Sequence, residues 1–260
     1  MENENKALNN SLDKALKLLT YFNADRRIIG LSELSRLSNI PKATVYRLIS
    51  TLQAHGFISK VSILGKDNQY KLGLRFLEYG KLVSEDLEIR KIALPYMERF
   101  RDKVNECVQL IIRDNDEAMY IEKLECTRDI RLYTRTGRRA PLFGGACPRA
   151  ILTFLPDDEI DRILESRPLV KVTEGTIVNK IKLIELIKQD RQRGYTISYG
   201  ELEPETVAIG APIFDHMGSV IASVSVAGPD SRFTEKEIPY LLDELLRTTK
   251  DISTALGYIK

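Results

Sequence analysis

The stretch KATVYRLIS, Lys42 to Ser50, sets Lys42, Ala43, Tyr46, Arg47 and Ser50 along one flank of a helical periodicity. On the other flank Val45, Leu48, Ile49 and Leu52 recur at i, i+3, i+4 and i+7, the spacing of a buried stripe. Small polar groups and cations on the open flank have the chemistry that a major groove asks for, hydrogen bonds to base edges and neutralisation of phosphate. Arg47 is placed to take a guanine edge bidentately. Lys42 and Thr44 stand near the helix start and suit phosphate or base contact, and Ser32 and Ser35 suit backbone phosphates. A three-helix bundle with a merely solvated face would carry the same stripe, so the surrounding elements decide.

A second stretch, RRAPLFGGACPRAILTFL from Arg138 to Leu155, runs two glycines and an alanine into a helix with Pro148 near its first turn. Small side chains leave the backbone open, and a helix start offers unpaired N–H groups and a positive dipole end. That is a place for a small carboxylate. A tight loop-to-helix turn that binds nothing has the same composition. Cys147 at this helix start is open to thiolate chemistry, or is a neutral packing group.

The elements that must hold these residues follow from pattern. Leu12, Ala15, Leu16, Leu19 and Phe22 predict a helix over about 10–23. GLSELSRLSNIP predicts a short second helix with Ser32 as its cap and a turn over Asn39–Pro41. The third helix runs from near Pro41 to a stop at Gly56. FISKV and QYKLG then read as a strand pair turned by GKDN, with Lys60, Lys66 and Lys71 making it a basic wing. Turn, cap, stripe, basic face and wing agree on a winged helix-turn-helix at residues 1–72. A linker helix is expected over 73–85 and a second unit over 86–260. A further helix near 86–104 contains Pro95.

In the second unit CVQLIIRDNDEAMYIEKLE reads as two strands about a turn, and DIRLYTRTG as a third. GYTISYGEL, TVAIGAPIFD and GSVIASVSVAG supply three more, the last two joined by DHMG. PRAILTFL, PDDEIDRILES and NKIKLIELIKQDRQRG are helical, and Thr234 with Glu237 forms a capping-box pattern for a last helix. The fold class is α+β, with a mainly antiparallel sheet flanked by helices.

Composition narrows the function. The chain has 260 residues, 43% hydrophobic, with a net charge of +2. The charge is uneven: residues 1–80 hold 12 Lys+Arg against 7 Asp+Glu, a net of +5, and the remainder is slightly acidic. A basic first third suits a polyanion. Three widely spaced cysteines, Cys107, Cys126 and Cys147, argue against a disulfide framework or a zinc ribbon, and the two histidines, His55 and His216, lack ligand-spaced partners. No metal and no cofactor are expected. The polar start MENENKALNN and the absence of any long apolar run point to a cytoplasmic chain with no membrane partner.

The order ALKLLTYF, GLSELSRLSNIPKATVYRLISTLQAHGFI and YKLGLRFLEYG closely resembles the amino-terminal domain of the IclR family of bacterial transcriptional regulators, and the resemblance extends over nearly the whole chain. It implies a DNA-binding regulator, a repressor among its likenesses, that acts as a homodimer or homotetramer on a palindromic operator. It implies a carboxyl-terminal domain that binds a small organic acid through backbone amides. Gly145 and Ala146 match the donating positions. Ser198 stands where a family member uses an acidic residue, and Ala208 where one uses cysteine. Ser225 matches a pocket serine, whereas Ala227 replaces a second one; Leu132 and Leu142 would be apolar walls. These departures imply a different effector with fewer polar contacts. Two alternatives stay open at this point: a redox-responsive regulator working through Cys147, and a thiol hydrolase pairing Cys147 with His216, the one histidine of that domain.

Overall fold

The computed structural model describes residues 9–62, 68–166 and 168–259. The chain divides into two compact units, Met1–Asp86 and Leu87–Lys260.

In the first unit α1 (Asn10–Leu19) is capped by Asn9, whose Oδ1 accepts from the Ser11 and Leu12 amides at 3.1 Å. The helix ends four residues before the expected 23 because Asn23 turns the chain, its Oδ1 accepting from the Asp25 and Arg26 amides. Its stripe is also rotated from expectation: Ala15, Leu18 and Phe22 are buried, while Leu12 and Leu16 stand exposed at 58% and 53%. A two-residue strand the sequence did not announce, β1 (Ile29–Gly30), pairs with the wing and leads straight into α2 (Leu31–Ser38). The Leu31 amide donates to Asn68 O, so Gly30 takes the cap position and the expected Ser32 cap is not formed. Asn39 ends α2 in the left-handed region, and α3 (Lys42–Ala54) follows with Pro41 at its cap. Val45 and Ile49 of α3 are fully buried against Leu18, Leu34 and Tyr70. The wing is β2 (Ile58–Val61) against β3 (Gln69–Leu72), antiparallel; Lys66 lies outside the described residues.

At the end of β3 the Gly73 amide donates to Phe57 O at 2.7 Å, and a Cβ there would meet Gly56 O at 2.0 Å, so only glycine fits. The chain then enters α4 (Arg75–Asp86), none of whose residues is buried. Phe76 and Tyr79 lean on Phe57, with ring centroids 5.2 and 5.8 Å away. Leu77, Leu82 and Val83 face solvent.

The second unit opens with α5 (Glu88–Val104), which contains Pro95. Its sheet is antiparallel throughout, in the order β6 (Arg139–Pro141), β5 (Glu117–Leu124), β4 (Cys107–Asp114), β9 (Val220–Pro229), β8 (Thr206–Phe214) and β7 (Thr196–Tyr199). Successive side chains on a strand face opposite ways. Val108 and Leu110 of β4 therefore enter the core shared with α5 and α9 (Ile238–Ala255), and Ile111, after a bulge, enters the other. That other core lies under α6 (Ala146–Thr153), α7 (Asp157–Ser166) and α8 (Lys180–Arg193). Every residue of α6 is buried.

Two local expectations fail in this unit. DIRLYTRTG is not a strand; it is an irregular loop, and the strand that pairs with β5 is the next three residues, Arg139–Pro141. Ile130, Tyr133 and Arg135 of that loop are exposed, so its alternation has no sheet face to fill. The Thr234–Glu237 capping box is also absent: Glu237 is the cap without a side-chain bond, and Pro239 sits in the first turn of α9.

Candidate functional site

In the first unit α3 holds its polar flank outward. Lys42, Ala43, Tyr46 and Arg47 are exposed, and Thr44 and Ser50 are half-buried beside the stripe. Ser32 on α2 and Lys60 on β2 are exposed as well. Ser35 has a different employment: its hydroxyl donates to Ile40 O at 2.6 Å and closes the turn between the two helices. The flank follows from packing. With Val45 and Ile49 fixed in the core, Ala43 and Arg47, two positions from Val45, fall near the far side of a 100°-per-residue helix and are turned to solvent.

In the second unit the start of α6 is wrapped by β4, β5, β7, β8 and β9. A small cavity of about 30 Å³ lies there, room for one or two waters. Eight of the nine pocket positions expected from the sequence line it: Leu132, Gly145, Ala146, Cys147, Ser198, Ala208, Ser225 and Ala227. Leu142 does not. It is 1% exposed, packs in the core under α6 and borders a different groove with Phe143 and Ile163. The lining also includes Gln109, Tyr120, Thr134, Arg138, Leu202, Glu203 and Thr206. These place polar groups around Ala208 and Ala227. Arg138 had a sequence signal, as one of three arginines ahead of the glycines. Gln109 and Tyr120 lie among apolar strand residues, and only pairing across the sheet shows that they share one face with Ser225.

The loop-to-helix geometry is tightly set. Gly145 caps α6 at φ +78°, and a Cβ there would meet Leu202 Cδ1 at 2.7 Å. The Gly145 amide is already engaged, donating to Glu201 Oε2 at 3.0 Å. Glu201 is in turn held by Arg149, whose Nη1 lies 2.7 Å from both carboxylate oxygens, and Arg149 Nε donates to Asp190 Oδ2 at 2.9 Å. Arg149 is fully buried. The Ala146 and Cys147 amides begin the helix, where no carbonyl four residues back is available within it.

The roof of the cavity is the segment from Leu202 to Thr206. Arg138, Leu202, Glu203 and Thr206 line both the cavity and an outer groove of about 780 Å³. Arg138 Nη2 pairs with Glu203 Oε1 at 2.8 Å, Nη1 donates to Thr134 Oγ1 at 3.2 Å, and the guanidinium stands 5.7 Å from the Tyr120 ring centre. Gly200 precedes the segment at φ +62°, and Glu205 lies within it at φ +54°.

Cys147 is enclosed. Its Sγ lies 3.2 Å from Ser223 Oγ, and Ser223 Oγ donates to Cys147 O at 2.7 Å. Burial pushes the thiol up to about 12, against a smaller downward pull from Ser223 and Ser225. Burial thus works against the thiolate that the redox and hydrolase alternatives need. Burial also raises the Tyr120 phenol, with the Cys147 and Glu203 charges acting in the same sense and Arg138 against it. His216 sits in the exposed turn between β8 and β9. All three cysteines are free, and among the described residues no cluster of His, Cys, Asp or Glu has the shape of a metal site. No helix among them is long and apolar enough to cross a membrane.

A winged helix-turn-helix with an outward polar recognition flank, joined to an antiparallel α+β unit enclosing a cavity at a helix start, defines a DNA-binding transcriptional regulator. Residues 11–62 match the IclR helix-turn-helix domain and residues 81–254 match the bacterial transcriptional regulator IclR C-terminal domain. The chain belongs to the IclR family. It is 45% identical to the HTH-type transcriptional regulator KipR of Bacillus subtilis over 258 residues, 99% of this chain and 100% of that one. Its fold is similar to the crystal structure of the Thermotoga maritima IclR, with a TM-score of 0.76, 32% identity, and 96% and 99% of the two chains covered. It is also similar to an IclR homologue from Microbacterium hydrocarbonoxydans complexed with 4-hydroxybenzoate, with a TM-score of 0.79, 26% identity, and 95% and 98% covered.

Proposed function

We propose that this regulator is ligand-controlled: α3 reads an operator in the major groove, and a small carboxylate taken up at the start of α6 changes the affinity for that operator. The observation that carries the effector half is the cavity itself. It joins a helix N-terminus to Gln109, Tyr120 and Arg138, convergent polar groups of the kind a small-molecule site carries. At about 30 Å³ it is closed to an organic acid, so binding requires the Leu202–Thr206 roof to move and Arg138 to exchange Glu203 for the ligand carboxylate. A ligand that binds only the opened form shifts the protein toward it and is coupled reciprocally to DNA. The complex of a relative with 4-hydroxybenzoate supports an organic acid as the ligand class.

On the DNA side, Arg47 takes a base edge, Lys42, Thr44 and Ser50 support it, Ala43 and Tyr46 fill the groove, and Ser32 and Lys60 meet phosphates. The exposed apolar residues Leu12, Leu16, Leu77 and Leu82 support self-association, which would present two reading heads to a palindromic site. Repression is the action in keeping with its relatives, among which the HTH-type transcriptional repressor AllR of Escherichia coli is 31% identical over 247 residues. The test is a gel-shift titration against the protein's own upstream region, repeated with a panel of small carboxylates and aromatic acids. The expected result is one shifted complex whose affinity changes with a subset of the acids. No specific complex with any promoter fragment would contradict the reading.

A further inference from the structure

We propose that Gln109 is a ligand-binding residue that sets specificity, and that the effector is a small carboxylic acid carrying a second hydrogen-bond acceptor. The inference rests on the α6 cavity being the effector pocket. Gln109 sits in the middle of β4, opposite Ser225 of β9, on the sheet face packed against α6. Ile111, the next residue on that face, is fully buried in the core. Alternation along a central strand would put an aliphatic side chain at 109. An amide is there instead, and it is 3% exposed.

Half of that amide is satisfied. Ser225 Oγ donates to Gln109 Oε1 at 3.3 Å. Among the described residues the Nε2 group has no acceptor. A buried amide donor without an acceptor destabilises a fold, and native proteins keep few of them without a purpose. This one lines the cavity together with Ala146 and Cys147, whose amides open α6, and with Arg138. The cavity thus has a cationic pole for a carboxylate and, on the sheet side, a separate donor for another oxygen. A plain monocarboxylate uses the first and leaves the second unpaired. An oxo acid or a dicarboxylate uses both.

The test is calorimetric titration of the full-length protein with isosteric pairs differing only in the second acceptor: pyruvate against isobutyrate, and 4-oxopentanoate against 4-methylpentanoate. In the unaltered protein at least one acceptor-bearing acid is expected to bind about tenfold tighter than its apolar isostere, about 1.4 kcal/mol. Gln109→Met keeps the volume and removes the donor. It is expected to abolish the discrimination with a nearly unchanged melting temperature, because the unpaired Nε2 is removed while the buried Ser225 Oγ loses its acceptor; a residue with only a structural role would leave the discrimination in place. Acids bound without discrimination, or discrimination that survives in Gln109→Met, overturn the assignment of Gln109 and leave the pocket standing. Failure of every pair to bind the unaltered protein overturns both.

Discussion

Glu201 Oε2 lies 3.0 Å from the Gly145 amide nitrogen, so a carboxylate of the chain itself holds the first donor of the glycine loop. The same carboxylate is gripped by the buried Arg149. Glu201 thus fixes the start of α6 from inside, and in the proposed binding mode the ligand takes the Ala146 and Cys147 amides. Glu201→Ala leaves a buried guanidinium short of one partner, a change expected to cost about 3–5 kcal/mol. Urea unfolding of the full chain measures it. A loss below about 1 kcal/mol would mean that Arg149 and Asp190 suffice without Glu201.

Glu203 holds Arg138 in the closed cavity, and in the proposed binding mode it competes with the ligand carboxylate. Both side chains are partly exposed, so the pair is worth little in stability. Glu203→Gln is therefore expected to leave the melting temperature nearly unchanged and to tighten binding of a recognised acid by roughly two- to fivefold, in line with the 0–1 kcal/mol of such pairs. Calorimetry on the two proteins checks it. Weaker binding in the variant would show that Glu203 contributes to the ligand site and is not its gate.

Cys147 ionises near 9 in an ordinary setting and near 12 here. Between those values the folded state keeps a proton that the unfolded state has lost, so stability falls as pH rises through that window and is fully present below it. Cys147→Ala removes this linkage, and the alkaline limb of a stability–pH curve above about pH 9 is expected to flatten. Equilibrium denaturation at pH 8 to 11 tests it, and an unchanged limb would refute the assignment. The native thiol is likewise expected to resist thiol reagents at pH 8.

The helical stripe of α3 was legible because a buried helix repeats its apolar positions locally, and Val45 and Ile49 mark it without help from the rest of the chain. Leu12 and Leu16 misled for a related reason: apolar type at helical spacing does not distinguish a residue that meets the core from one that stays exposed. The β1 strand and the Gly30 cap were hidden because two residues carry no period, and they depend on Asn68 and the wing far along the chain. Gln109 and Tyr120 were missed because each joins the pocket only through sheet register, and Glu201 because it reaches the Gly145 amide from a loop far along the chain. DIRLYTRTG alternates like a strand, yet the sheet edge it would need is taken by Arg139–Pro141.

Exposed leucines on α1 and α4 have a direct consequence. Leu77→Lys with Leu82→Lys is expected to raise solubility, leave the first unit folded since neither side chain is buried, and lower the molecular mass observed by light scattering. Operator affinity should fall with it, because a single reading head loses the avidity of a pair. A mass equal to that of the unaltered protein would place self-association elsewhere.

The most direct test of the central claim is fluorescence anisotropy of Arg47→Ala on an operator fragment bound by the unaltered protein. Arg47 is exposed on the outward flank of α3, so its removal should leave urea unfolding unchanged. Operator affinity should drop by about 1–3 kcal/mol, roughly five- to 150-fold, with relaxed discrimination at one base pair. Equal affinity and equal salt dependence in the two proteins would contradict the assignment of that flank to DNA.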